Sequence, residues 1–513
     1  MIIKGIVKQG EYYDSVSLML LSKDLRKTEG ITDSAVVMGT KENKAILEMS
    51  GMLLPEFKDI SDNDLLICLK AEKQEVIDSV LGGIDGMFKK MRTKDDDTST
   101  YAPKSLESAL KSAPGANLSL ISVAGRFAAH EAMKALKNGL HVMIFSDNVT
   151  IEEELELKKY AASKGLLVMG PDCGTAIING APLAFANVVN RGNIGIVAAS
   201  GTGLQEVSCV ISNFGAGISQ AIGTGGRDLK KEIGGIMFLQ ALLALNNDPQ
   251  TEIIVLISKP PHEEVLDRIV AEIKKIKKPV VAILIGGDSK KIESAGAIAA
   301  NTLEETGMIA AALAQGKELA GIKADIAKAD ENIAALAIKM PKGKGRKYIR
   351  GLFSGGTLCD ETQLIFKDTI GFVYGNSPLN KDYVLDDVWK SKENCIIDLG
   401  EDEFTVGRPH PMIDFSLRNK KILDEAAETD VAVILLDVVL GYGSNLDPAA
   451  ELVPVILKAK EMTRDLHIVC SITGTEKDPQ NRQKVKKELE MAGAIVMPSN
   501  AAASKLSMKI IQN

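Results

Sequence analysis

A chain of 513 residues exceeds the ~250–300 that one hydrophobic core sustains, so several domains are expected, and 45% hydrophobic residues lets each fold by itself. A net charge of −7, with no Lys/Arg-rich run interleaved by aromatics, excludes nucleic acid as the main partner. Six cysteines without C-x-x-C spacing give neither a zinc site nor a disulfide framework. No stretch reaches the ~18–20 apolar residues of a membrane span, and the N-terminus lacks a signal-peptide core, so a cytoplasmic protein is expected.

In chain order, residues 1–95 alternate strand and helix patterns. IKGIVKQ, SAVVMGT and DLLICLKA read as strands, and EYYDSVSLMLLSKDLRKTEG and EVIDSVLGGIDGMFKKM as helices. A small α/β domain of ferredoxin-like size follows. The run 93–103 has no apolar periodicity and reads as a linker. Residues 104–188 form a second α/β unit, in which Thr150 and Glu153 are spaced as a capping box. Residues 189–318 repeat the rhythm, 319–346 reads as a helix and exposed linker, and 347–513 returns to strand–helix alternation. Strands alternating with helices predict parallel sheets, whose ligands gather at the carboxyl ends of the strands.

Several stretches carry possible chemistry. Ser200, Gly201, Thr202 and Gly203 sit between an apolar strand and a helix, where backbone N–H groups and a helix N-terminus make an anion cradle; the plainer reading is a Ser-capped turn. Ser354, Gly355, Gly356 and Thr357 repeat that setting, so the two loops could face one cleft. Arg227 could grip a phosphate or carboxylate, or pair with a neighbouring acid. Pro409 and Pro411 bracket His410 and stiffen the loop that presents Arg408, which suits a charged clamp beside a proton-transfer group. Cys173 lacks a recognisable partner histidine and reads as a buried or turn cysteine rather than a nucleophile. Asp437, Gly441 and 473–475 lie at strand ends, as ligand groups or as plain turns.

From Leu166 to Ala300 the chain resembles the succinyl-CoA synthetase α-subunit, through 169-MGPDCGTAI-177, 192-GNIGIVAASGTGLQE-206, 222-IGTGGRDL-229 and 278-KPVVAILIGG-287. In that family a histidine relays phosphate; here Ser294 stands in its place and Lys259 where a supporting glutamate belongs. A serine without a base is a poor phosphoacceptor, so the resemblance implies the fold without the relay. The implied architecture is α/β and multidomain: a Rossmann-like CoA-binding domain at 104–188, and two flavodoxin-like synthetase-type domains at 189–318 and 347–513. Over nearly its whole length the chain also resembles the FdrA family, through 36-VVMGTKENKA-45, 145-FSDNVT-150, 182-PLAFANV-188 and 405-TVGRPHPMID-414.

The FdrA resemblance implies one subunit of an oxamate carbamoyltransferase of allantoin and purine breakdown. Such an enzyme turns oxalurate and phosphate into oxamate and carbamoyl phosphate, alongside other subunits and a carbamate kinase. On that reading the 200–203 loop holds phosphate, Arg408 or Arg227 holds the oxamate carboxylate, and His410 manages protons. No cofactor or metal is required. An acyl-CoA synthetase subunit, which would bind CoA, and a non-catalytic scaffold are the alternatives.

Overall fold

The computed structural model describes residues 1–11, 13, 15–94, 103, 105–405 and 409–513. They divide into two units, Met1–Pro114 with Glu401–His410, and Gly115–Gly400 with Pro411–Asn513. The linker expected over 93–103 lies largely outside the described residues.

In the first unit β1 (Ile2–Lys8), β2 (Ile31–Met38) and β3 (Leu65–Ala71) form one sheet in the order β1-β3-β2, with both pairings antiparallel. The central strand is apolar at every position but Lys70 because both faces are covered. Leu65, Ile67 and Leu69 pack with Leu18, Leu21, Ile77 and Phe88 on one side, and Leu66 and Cys68 with Leu47, Met52 and Phe57 on the other. Period-two alternation places these two sets on opposite faces. The helix Lys41–Met49 was not anticipated from sequence.

The second unit holds three sheets. The smallest pairs β4 (Leu118–Ile121), β5 (His141–Ile144) and β6 (Val168–Met169) in parallel. The Thr150 capping box is present: its hydroxyl accepts from Glu153 N, and the Glu153 carboxylate accepts from Thr150 N. The next two strands, β7 (Thr175–Ile178) and β8 (Ala181–Ala184), depart from the range expected for this unit. They form a hairpin that joins the seven-stranded sheet through the antiparallel β7–β10 pairing, so by sheet membership they belong with the domain that follows.

That seven-stranded sheet contains β9 (Arg191–Ala199), β10 (Ile218–Gly223), β11 (Ile253–Ser258), β12 (Val280–Leu284) and β13 (Ile298–Ala299), all parallel, in the order β13-β12-β11-β9-β10 before the hairpin. The last sheet holds β14 (Tyr348–Phe353), β15 (Cys395–Asp398), β16 (Val431–Val439), β17 (His467–Thr473) and β18 (Ile495–Met497), ordered β15-β14-β16-β17-β18. Both parallel cores therefore have the flavodoxin-like order 2-1-3-4-5. Each has its switch point between its first and third strands, where an open parallel sheet leaves a ligand crevice. One apolar cluster runs from Ile196 and Ile257 through Leu303 and Ile309 to Phe353, Leu435 and Leu506, so the two domains share a core. Among the described residues no helix is long and apolar enough to cross a membrane.

Candidate functional site at two facing loops

The carboxyl ends of β9 and β14 each run into a helix. After Ala199, Ser200 is extended and caps the helix Gly201–Asn213, its Oγ accepting from Gly203 N at 3.0 Å. This cap leaves the N–H groups of Gly201 and Thr202 as the donors available in the first turn. The helix is buried from Thr202 to Ser212, which is why it reads as apolar or small nearly all round. After Phe353 the chain makes the equivalent turn into the helix Gly356–Ile370.

The two helix starts meet. Ser200 Oγ lies 2.6 Å from Thr357 Oγ1. A Cβ on Gly203 would stand 3.2 Å from Thr357 Cγ2, and one on Gly355 would stand 3.0 Å from Thr202 Cγ2. Each loop thus offers a glycine to the other loop's threonine, a near two-fold arrangement that any larger residue would pry apart.

The symmetry breaks at Asp437. Its buried carboxylate accepts from Ser354 N and Gly355 N, both at 2.8 Å, and from Ser354 Oγ at 3.0 Å. Behind it, fully buried Arg418 donates to Asp437 O at 2.7 Å and Oδ1 at 3.1 Å. The N–H groups of Ser354 and Gly355 are therefore already taken by an internal anion, whereas those of Gly356 and Thr357 at the helix start do not belong to that set. Ser354 and Gly355 are corrected from ligand groups to scaffold, while Thr357 reaches the first loop. Asp437 itself points into the protein rather than to a ligand.

Further side chains close around the same point. Ser258 pairs in register with Ala199, so Lys259 leaves β11 beside Ser200. Its Nζ meets Asp360 Oδ2 at 2.8 Å, on the first turns of the second helix. Burial opposes the Lys259 charge, and attraction from Asp360 and Asp398 overrides it, leaving its pKa above that of an ordinary lysine. Asp398 ends β15 and holds Gly400 N at 2.9 Å. Gly356 has no Cβ because one would stand 2.5 Å from Asp398 Oδ2.

One turn deeper, Glu206 and Glu361 occupy equivalent positions on the two helices, and Asn500 bridges them, giving its backbone N–H to Glu206 at 3.3 Å and its amide to Glu361 at 2.8 Å. Burial raises both carboxyls, Glu361 to about 7. A carboxyl that holds its proton more tightly when folded stabilises fully below its unfolded value of 4.5 and loses that contribution as pH rises to about 7. Stability should therefore fall by up to about 3 kcal/mol across that window. Urea midpoints taken from pH 5 to 8 should show this slope, and Glu361→Gln should flatten it.

The other expected site residues are placed elsewhere. Arg227 pairs with Glu154 at 2.9 Å and donates to Val149 O at 2.8 Å, so its guanidinium serves the fold rather than a ligand. His410 belongs to the first unit, and burial pushes its imidazole down to about 4. Arg408 lies outside the described residues. Burial pushes the Cys173 thiol up to about 12, in keeping with a structural cysteine. Ser294 ends the helix Ser289–Ser294, exposed, and its hydroxyl donates to Lys291 O at 2.7 Å. Thr473 and Thr475 turn inward, to Glu206 and to Val188 O. The Lys259–Asp360 pair, Asp437 and Asn500 complete the site without having been assigned these roles from sequence.

Three stretches match known family models: a CoA-ligase domain at 352–510, a CoA binding domain at 189–286, and the AllF heavy metal-associated domain at 1–104. The CoA binding likeness thus falls on the sheet that carries Ser200, whereas the resemblance had placed it at 104–188. Among the described residues no group of three or more His, Cys, Asp or Glu could hold a metal ion. Cys68, in the heavy metal-associated stretch, is buried with its thiol pushed up to about 12. Over 515 residues the chain is 41% identical to the protein YahF of Escherichia coli, covering 100% of this chain and 99% of that one. The α-subunit of an ADP-forming succinate–CoA ligase from Methanothermobacter thermautotrophicus is 29% identical over 188 residues, 36% of this chain and 62% of the relative. The solved dinucleotide-forming acetyl-coenzyme A synthetase 1 of Ca. Korarchaeum cryptofilum covers 77% of this chain and 82% of its own, at 16% identity and a TM-score of 0.33.

Proposed function

Because the chain belongs to the family of the Escherichia coli protein YahF and has the domains of a succinyl-CoA synthetase-like ligase, we propose that it works as a phosphate-dependent carbamoyltransferase subunit. The reaction is oxalurate plus phosphate to oxamate plus carbamoyl phosphate. The observation that carries this reading is the direct meeting of the Ser200 and Thr357 loops at 2.6 Å, in a chain with Ser294 where the ligase relay needs histidine.

In this reading a phosphate oxygen attacks the carbamoyl carbon of oxalurate. The new C–O bond forms as the C–N bond to oxamate breaks, and the leaving nitrogen takes a proton. No electron changes hands and no nucleotide is consumed. The Gly201 and Thr202 N–H groups hold the phosphate, since Gly203 N is committed to Ser200. Other subunits complete the enzyme, and a carbamate kinase uses its product. The AllF-type domain at 1–104 agrees with an allantoin-linked role.

The test supplies oxalurate and phosphate to the chain with its co-purifying partners and follows both products. Product without nucleotide is expected, and Ser200→Ala, by releasing the cap and the Thr357 contact that position the Gly201 and Thr202 N–H groups, should reduce it on the order of 10²-fold. The two ligase-type family matches favour a second reading, an acyl-CoA ligase subunit. Thioester formed only with nucleotide, CoA and a carboxylate would establish that reading instead.

A further inference from the structure

Lys259 is a charge reversal at the place where a relay ligase carries a glutamate. Resting on the reading of the facing loops as an anion site, we propose that Lys259 is the specificity-determining cation of the cleft, making it a seat for a free phosphoryl dianion rather than for a phosphorylated side chain.

Three placements carry the argument. First, Ser258 and Ala199 are register partners, so Lys259 and Ser200 leave adjacent strands together at the switch point of the sheet. Second, Nζ lies 3.8 Å from where a Cβ on Gly356 would stand, which puts the ammonium at the first residue of the second helix. Third, the side chain remains 46% exposed while its partner Asp360 is 14% exposed, so the carboxylate is the buried member and the ammonium the presented one. An ammonium has three donors, and Asp360 engages one. The remaining donors are available to phosphate oxygens, beside the N–H groups of the first loop.

Two carboxylates, Asp360 and Asp398, face the same ammonium, so their role must be included. Asp360 holds Lys259 in position, and its charge opposes an incoming anion. Lys259 and Asp360 substitutions should therefore move phosphate affinity in opposite directions. A simple pin between the two domains would instead respond alike to loss of either partner.

The experiment is calorimetric titration of the full chain with inorganic phosphate at low salt, beside thermal unfolding of each variant. Lys259→Met should weaken phosphate binding by roughly tenfold or more, the usual share of a hydrogen bond to a charged group. Lys259→Arg should retain it within about threefold, since charge and donors survive, and Asp360→Asn should tighten it. Equal phosphate affinity in Lys259→Met and the parent, or absence of phosphate binding to the parent, would overturn the proposal. Phosphate binding that depends on Lys259, in a complex that makes no product from oxalurate, would leave it standing and remove the carbamoyl reading alone.

Discussion

Asp437→Ala should destabilise the second unit by about 3–5 kcal/mol, measured as a shift in its denaturant midpoint against the parent. The carboxylate is fully buried and serves two masters at once: it closes the turn at Ser354 and Gly355 and neutralises Arg418. Removing it strands a buried guanidinium whose Nε and Nη2 have no other hydrogen-bond partner. Breaking one side of a buried ion pair carries that cost because the surviving charge keeps its desolvation penalty. Asp437→Asn keeps the shape but presents an amide NH2 donor where one of the two backbone N–H groups needs an acceptor. It should lose about half as much, on the order of 2 kcal/mol. If alanine and asparagine behaved alike within about 0.5 kcal/mol, the loss would rest on the missing charge alone and the turn-closing hydrogen bonds to Ser354 and Gly355 would contribute nothing.

Lys158→Ala should be of similar size, about 3–5 kcal/mol, for the mirror-image reason. The Lys158 ammonium is completely buried between Glu154 and Asp228, 2.8 Å from each, and donates to Thr224 O at 2.9 Å. Without it two buried carboxylates face each other. Asp228 also anchors the helix Ile236–Asn247 by accepting from Phe238 N at 2.7 Å, so that helix start should loosen with it. Arg227→Ala removes a partner of the same Glu154 from a side chain that is 31% exposed. Solvent screens that contact, and a loss on the order of 1 kcal/mol is expected. Unfolding midpoints of the two variants, measured together, separate the buried from the screened charge.

Much of the architecture was legible because parallel strands buried on both faces read as unbroken apolar runs. IGIVAA, IIVLIS, VVAIL and VAVILLDVV stand out without any alignment, and each Gly- or Ser-containing stop after β9 and β14 marks a turn into a helix. What was not legible comes from residues brought in from afar. Both loops show small and hydroxylic residues in similar order, yet Asp437, 83 positions beyond Ser354, takes the Ser354 and Gly355 N–H groups of the second. The partners of Arg227 and Lys259 are equally remote in sequence, so local spacing could not decide whether those charges meet a ligand or an acid. The β7–β8 hairpin, whose residues were read within the unit 104–188, went unrecognised for a different reason. Four-residue strands give too short a pattern to reveal their partner, and adjacency in sequence suggested the preceding unit.

The helix Leu319–Ile338, which buries Ile322, Ile333 and Ala337 in the shared core, makes the two ligase-type domains one continuous chain. Where such halves reside on separate subunits, their meeting obeys mass action and weakens on dilution. Here the Ser200 and Thr357 loops are delivered to each other at a local concentration set by the tether and not by the solution. Dilution alone does not separate them, and any change in their spacing has to come from unfolding or from strain within the fold.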